Sequence, residues 1–470
     1  MKNSFLTLVA VFCLFSFESN AKIKLPGIIA SNMVLQRKAS VKMWGWATPG
    51  EKITIQASWV SKKIKVVTDK KGHWEFTIWT TLSKESQKIQ LKSSESNIKL
   101  ENILFGEVWV CSGQSNMRQP LKGYTGQPVF DGNKAIATST NNKIRLFSIV
   151  ENGSLIPLDS VQNYKKWDMA SPESTKDFSA IAYFYGKQLQ EILDVPVGLI
   201  MTSWGGTQIQ PWISKEAVQP FLNVNKTKID STEKYRRVPS AIFNAMINPI
   251  TSYTIKGILW YQGESNRKEP EIYQQLFSAM VKDWRSKWNS GDFPFYYVQI
   301  APNNYIDKSS SQYLREAQLK SLEVIPNSGM VVTADIGSAV SIHPPKKKEV
   351  AERLLFTALN QTYGMKNIDY LGPVYKMMSE KEGALYLTFD HAETGLFSFE
   401  AEPSGFEIAG PDKIFYPAKA EILKGKELKV SSLEVKTPVA VRYGWKNWFV
   451  GSLFDTNMLP ASSFRTDTWN

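Results

Sequence analysis

Histidine is nearly absent from this 470-residue sequence, which holds only His73, His343 and His391. Cysteine is scarcer, with Cys13 and Cys111 alone. A zinc site built from the usual imidazole and thiolate ligands is short of donors. No Walker or Rossmann glycine pattern is present, so neither a metal nor an organic cofactor is expected. Long apolar runs are missing as well. The longest, residues 5–17, falls short of the ~20 residues a spanning helix needs.

That short run lies between Lys2 and the small-residue triplet Ser19-Asn20-Ala21. Such an arrangement predicts a signal peptide over residues 1–21 and an exported protein, periplasmic or secreted, with no transmembrane segment. Cys13 leaves with the signal, so Cys111 has no partner for an intrachain disulfide. A large core must then stabilise the exported chain.

Lys and Arg number 56 against 44 Asp and Glu, a formal net charge of +12. A basic balance favours anionic partners. The lysines are scattered instead of gathered into an arm, so no nucleic-acid partner is assigned. The one run, Lys346-Lys347-Lys348, reads as the solvated start of a helix.

Three regions emerge from periodicity. Residues 22–104 read as an all-β, sandwich-like domain. There Ile53, Ile55 and Ala57 alternate with polar residues, and Trp74, Phe76 and Ile78 repeat the pattern. Residues 105–371 alternate continuous apolar strands (108–111, 197–201, 257–261, 295–300 and 330–333) with helices. The helices are expected over 179–193, 241–250, 273–288, 311–325 and from Pro344-Pro345 to about 363. Strands of that kind with helical crossovers predict an α/β, doubly wound parallel sheet covered on both faces. Residues 372–470 return to β, with strands expected at 384–389, 395–400, 428–430 and 439–443.

The polar motifs follow directly on the strands, where open α/β sheets bind ligands. Val108 to Cys111 runs into Ser112-Gly113-Gln114-Ser115-Asn116, a tight turn that presents a small hydroxyl beside backbone N–H groups. A serine nucleophile needs that setting, although an ordinary helix start with Ser115 as cap has the same look. The Gly-x-Ser-x-Gly elbow is absent, since Met117 occupies its last position. Gly263-Glu-Ser-Asn266 echoes Gly113-Gln-Ser-Asn116 and makes Ser265 the alternative serine. His343 is the only histidine of the α/β region, so it is the expected base for Ser115.

Gly113-Gln-Ser-Asn-Met117, Ser203-Trp-Gly-Gly-Thr207, Trp260-Tyr-Gln-Gly-Glu-Ser-Asn266, Leu314-Arg-Glu-Ala-Gln318 and Ile342-His-Pro344 together resemble the sialate O-acetylesterases, which are SGNH-type hydrolases. The likeness extends to Asn32-Met-Val-Leu-Gln-Arg37 and Trp44-Gly-Trp46 upstream, and to Val441-Arg-Tyr-Gly-Trp445 and Phe464-Arg-Thr-Asp-Thr-Trp469 downstream. It implies an SGNH-hydrolase-like α/β domain flanked by two β modules, and a serine esterase that removes O-acetyl groups from sugars, sialic acids above all. Ser115 is then the nucleophile and His343 the base. The oxyanion donors are backbone N–H groups of Ser115 and of Gly205 or Gly206, with the Gln262 side chain.

SGNH enzymes commonly place the triad acid three residues before the histidine, where this sequence has Val340. The resemblance moves that role to Asp335, with Glu264 as the alternative acid. Arg315, Gln318 and Asn266 are expected to support or line the substrate pocket. The rival readings are an acetylxylan or general carbohydrate acetylesterase and, from another class, a glycan-binding protein without catalysis.

Overall fold

The computed structural model describes residues 22–222, 235–307, 309–424 and 426–469. The signal expected over residues 1–21 lies outside them. The chain is a mixed α/β protein with one large mixed sheet and several smaller β-sheets. Among the described residues, no helix is long and apolar enough to cross a membrane.

The large sheet is organised on one 17-residue strand, Asn97–Gly113. Its first half pairs antiparallel with Gln87–Lys92 in the N-terminal β region. Its second half is buried without interruption and lies between two parallel neighbours, Val197–Ser203 and Gly257–Tyr261. A strand buried on both faces needs no polar alternation, which explains the apolar run from Val108. The expected boundary at residue 104 falls inside this strand. One apolar cluster, from Ile53 and Trp74 to Trp260 and Phe295, passes through both regions.

From the centre the sheet continues on one side through Phe295–Val298 and Ser328–Val331, all parallel. On the other side Asn141–Ile149 pairs parallel with Val197–Ser203, and Tyr164–Ala170 closes the edge antiparallel. The expected all-parallel sheet therefore has an antiparallel edge. Neither of these last two strands shows an apolar run. Arg145, in the middle of the first, is 2% exposed and donates to the Asn142 carbonyl and to the Asn32 and Asn102 side chains.

Helices Ala180–Leu193, Pro270–Trp288, Ser311–Val324 and Lys347–Gln361 cover the sheet. Pro344 and Pro345 stand before the last helix, not in its first turn. The expected helix over 241–250 is a π-turn, Phe243–Ile247, followed by a 3₁₀ turn, Asn248–Ile250. Beyond residue 372 two four-stranded antiparallel sheets enclose their own core around Leu387, Ile408, Val430 and Val441. The strand expected at 395–400 shortens to Leu396–Phe397.

Candidate active site

Ser115 opens a short helix, Ser115–Arg118, at the end of the central strand. Gly113 makes the turn possible. Its φ is +131°, and a Cβ there would lie 2.1 Å from the Tyr261 carbonyl oxygen of the neighbouring strand. The echo motif repeats the device one strand away, with Gly263 at φ +151° before the turn Glu264–Asn266. Each motif therefore ends one of two adjacent parallel strands in the same way. A third turn arrives from Val197–Ser203, where a Cβ on Gly205 would sit 3.5 Å from the Ser115 Cβ. Gly205 thus lies beside the serine, with Gly206 next in the same turn, which is where an oxyanion site needs backbone donors. Arg236 borders the same turn, its Nη1 3.7 Å from where a Gly206 Cβ would stand.

His343 comes from the loop after Ser328–Val331. Its ring stands edge-on to Tyr124 at 5.4 Å, and its Nδ1 bonds to the Gln127 side-chain oxygen. Gln127 is held by a small hairpin with Tyr124, at 2.9 and 3.0 Å, and by Gln119 Nε2 on its carbonyl at 3.0 Å. An amide oxygen only accepts, so Nδ1 carries the proton and Nε2 keeps its lone pair. Nε2 is buried without a hydrogen-bond partner among the described residues. Burial, reinforced by the charge of Lys347, lowers the imidazole pKa to about 4. At neutral pH the ring is a free base. Ser115 and His343 are not hydrogen-bonded to each other.

Neither expected carboxylate bonds to His343. Both oxygens of Asp335 are taken by Arg353, at 2.8 and 2.7 Å, and that guanidinium also donates to the Val332 carbonyl at 2.8 Å. Asp335 thus ties its strand end to the Lys347–Gln361 helix. Glu264 is 3% exposed, accepts from Asn116 Nδ2 through one oxygen and leaves the other unpaired. Burial raises its pKa, opposed by backbone and Asn116 hydrogen bonds and by the charges of Lys347 and Arg267.

Four other expected site residues spend their polar groups on neighbouring parts of the chain. Both Gln262 N–H groups are committed, to the Thr207 carbonyl (3.1 Å) and Asn266 Oδ1 (2.8 Å), which leaves none for an oxyanion. Asn266 fixes the Ile209 N–H (2.9 Å) and Gln210 (3.2 Å) from full burial. Gln318 braces the same layer through the Gln262 carbonyl (3.1 Å) and the Ile300 N–H (2.9 Å). Arg315, 1% exposed, donates to Ser463, Ser311 and the Gly444 and Lys446 carbonyls, so it fastens the C-terminal segment to its helix.

Sequence patterns give no sign of Gln127, which lies in a turn without periodicity, and they mislead on Lys347. Lys347 is not a solvated helix start. It is 1% exposed, with Nζ 2.5 Å from Asn116 Oδ1. Burial lowers its pKa to about 7, and Glu264 counteracts the fall. A cavity of 370 Å³ opens beside Gly206 and Glu264, bordered by Arg237, Arg267 and Lys268 and, in equal number with Glu264, by the carboxylates Glu269 and Asp307.

The profile of the carbohydrate esterase, sialic acid-specific acetylesterase family matches residues 106–353. That span contains the serine turn, the glycine pair, both Ser-Asn turns and the His343 loop, and it is more than half of the chain. The chain belongs to this family. A carbohydrate acetylesterase from Xanthomonas citri superposes with a TM-score of 0.86 at 31% identity, over 95% of this chain and 100% of that one. The sialate O-acetylesterase of mouse is 28% identical over 93% of each chain. The human sialate O-acetylesterase is 28% identical over 89% of this chain and 87% of its own.

Proposed function

We propose that this protein is a serine esterase that hydrolyses O-acetyl groups on sugars, with sialic acids as its substrates and an SGNH-type catalytic domain. The observation that carries the reading is the set of groups past the carboxyl ends of the parallel strands. Ser115 lies beside the Gly205-Gly206 turn, and His343 is held by Gln127 in the tautomer whose Nε2 accepts a proton. Ser115 Oγ attacks the acetyl carbonyl carbon while His343 Nε2 removes its proton. Backbone N–H groups of Ser115 and the Gly205-Gly206 turn receive the oxyanion. The C–O bond to the sugar breaks as the imidazolium protonates the leaving oxygen. Water, deprotonated by the same nitrogen, then attacks the acyl-enzyme, and acetate departs with regeneration of Ser115.

Arg236 at the edge of the glycine turn supports an anionic sugar. The likeness to the Xanthomonas carbohydrate acetylesterase favours a second reading, a general carbohydrate or xylan acetylesterase with the same groups. Comparing kcat/KM on 9-O-acetylated sialic acid and on acetylated xylo-oligosaccharide separates them. Preference for the sialate is expected, and preference for the xylan substrate would establish the second reading. The signal reading for residues 1–21 predicts an exported protein, periplasmic or secreted, whose N-terminal sequencing starts at Lys22.

A further inference from the structure

Three turns of the active site meet at one buried amide, and that amide is oriented by a lysine. Asn116, 1% exposed, is the residue after Ser115. Its Nδ2 donates both to Glu264 in the second Ser-Asn turn and to the Ile342 carbonyl, 3.0 Å away, at the peptide that leads into His343. Its Oδ1 accepts from Lys347 Nζ at 2.5 Å. That ammonium arrives from the first turn of the Lys347–Gln361 helix and sits 5.9 Å from the centre of the Tyr261 ring.

Below its pKa of about 7 Lys347 is an ammonium, which has donors and no acceptor. Facing Lys347, the Asn116 amide can present only its oxygen, so its NH₂ is directed at Glu264 and Ile342. Without the ammonium the Asn116 oxygen is buried with no donor, and the amide is held only from its NH₂ side by Glu264 and Ile342. Burying an ammonium is costly unless the surroundings use its charge and its hydrogen bonds. Here one hydrogen bond fixes the relative placement of the serine turn, the Glu264 turn and the histidine loop.

We propose that Lys347 is a positioning residue for ester hydrolysis, acting through Asn116 to hold Ser115 and His343 in register. The proposal rests on the Ser115–His343 reading given above, but it can be tested apart from activity. His343 titration is followed by ring NMR, its signals assigned by their loss in His343→Gln, in the full-length mature protein and in Lys347→Met. On the same proteins kcat and KM are measured with 4-nitrophenyl acetate.

Loss of the Lys347 charge is expected to raise the His343 pKa and to move the acid limb of kcat up with it. The expected kcat loss is roughly 10- to 100-fold with KM nearly unchanged, the scale of a misplaced catalytic group. Adding Lys347→Met to Asn116→Ala should cost little beyond the larger single effect, because the two residues act as one unit. Should Lys347→Met fail to fold, Lys347→Gln keeps an N–H donor without the charge, and its His343 titration is read instead.

An unmoved His343 titration with wild-type kcat in a folded variant would overturn the proposal, as would fully additive losses with Asn116→Ala. If the wild-type protein cleaves no acetyl ester at all, the esterase reading fails. The NMR titration then still decides whether Lys347 and His343 are coupled.

Discussion

Asp335→Asn tests which carboxylate, if any, serves His343. In the structure Asp335 faces Arg353 through two charge-assisted hydrogen bonds of 2.8 and 2.7 Å, with the two side chains 16% and 10% exposed. The isosteric amide keeps the shape but leaves a mostly buried guanidinium facing a neutral partner. Charge-assisted hydrogen bonds contribute about 1.5–3 kcal/mol, and complete loss of a buried partner costs about 3–5 kcal/mol. With one acceptor retained, destabilisation of roughly 2–3 kcal/mol follows, a fall of several degrees in Tm. The folded fraction should keep kcat within about threefold of wild type on a small acetyl ester, since no bond from Asp335 reaches the imidazole. A triad acid behaves in the opposite way, with kcat down about 10⁴-fold and the fold intact. Thermal melting and kcat measured together on Asp335→Asn therefore separate the two roles. An unchanged Tm with a 10⁴-fold loss would refute the assignment of Asp335 to Arg353.

Further expectations concern the base and the framework. Because His343 is held at a pKa of about 4, kcat/KM on a neutral ester should stay flat from pH 7 to about 5 and fall as pH drops through about 4. The same lowering adds stability that is fully present above the ordinary value of 6.5 and is lost as pH falls through about 4. Gln127→Glu places a carboxylate on Nδ1 and should shift the acid limb upward, and an unmoved limb would show that Gln127 does not contact the ring. Arg315→Lys removes the fork that reaches Ser463, Ser311 and two carbonyls. It should lower stability by about 2 kcal/mol or more while KM for the sugar ester stays constant. A raised KM at unchanged stability would return Arg315 to the substrate pocket.

The parts of this molecule legible in sequence are those where one physical constraint acts on contiguous residues. An uninterrupted apolar run such as Val108 to Cys111, bounded by turn residues, suits a strand covered on both faces, and glycine at the strand end permits the turn that displays Ser115. Asn141–Ile149, though buried from Ile144 onward, is hidden in sequence because Arg145 and Ser148 interrupt its apolar residues, and the edge strand Tyr164–Ala170 because it buries only Trp167 and Ala170 and pairs through bulges. Lys347 is hidden for a related reason. In a run of three lysines only the helix's orientation decides which one faces inward, and that orientation is set by the apolar face of Val350, Leu354 and Leu355 packed into the core. Gln262, Asn266, Arg315 and Gln318 carry polar groups that in sequence look equally suited to a ligand or to a neighbouring loop. In the structure all four are buried and bond to neighbouring parts of the chain.

The central claim, that Ser115 performs the hydrolysis, is tested most directly by acetate release from 9-O-acetylated sialic acid with Ser115→Ala and Ser265→Ala in parallel. Ser115→Ala should keep the wild-type melting temperature and lose turnover down to a slow residual, while Ser265→Ala stays near wild type. Wild-type acetate release by a folded Ser115→Ala protein, or loss confined to Ser265→Ala, would contradict it.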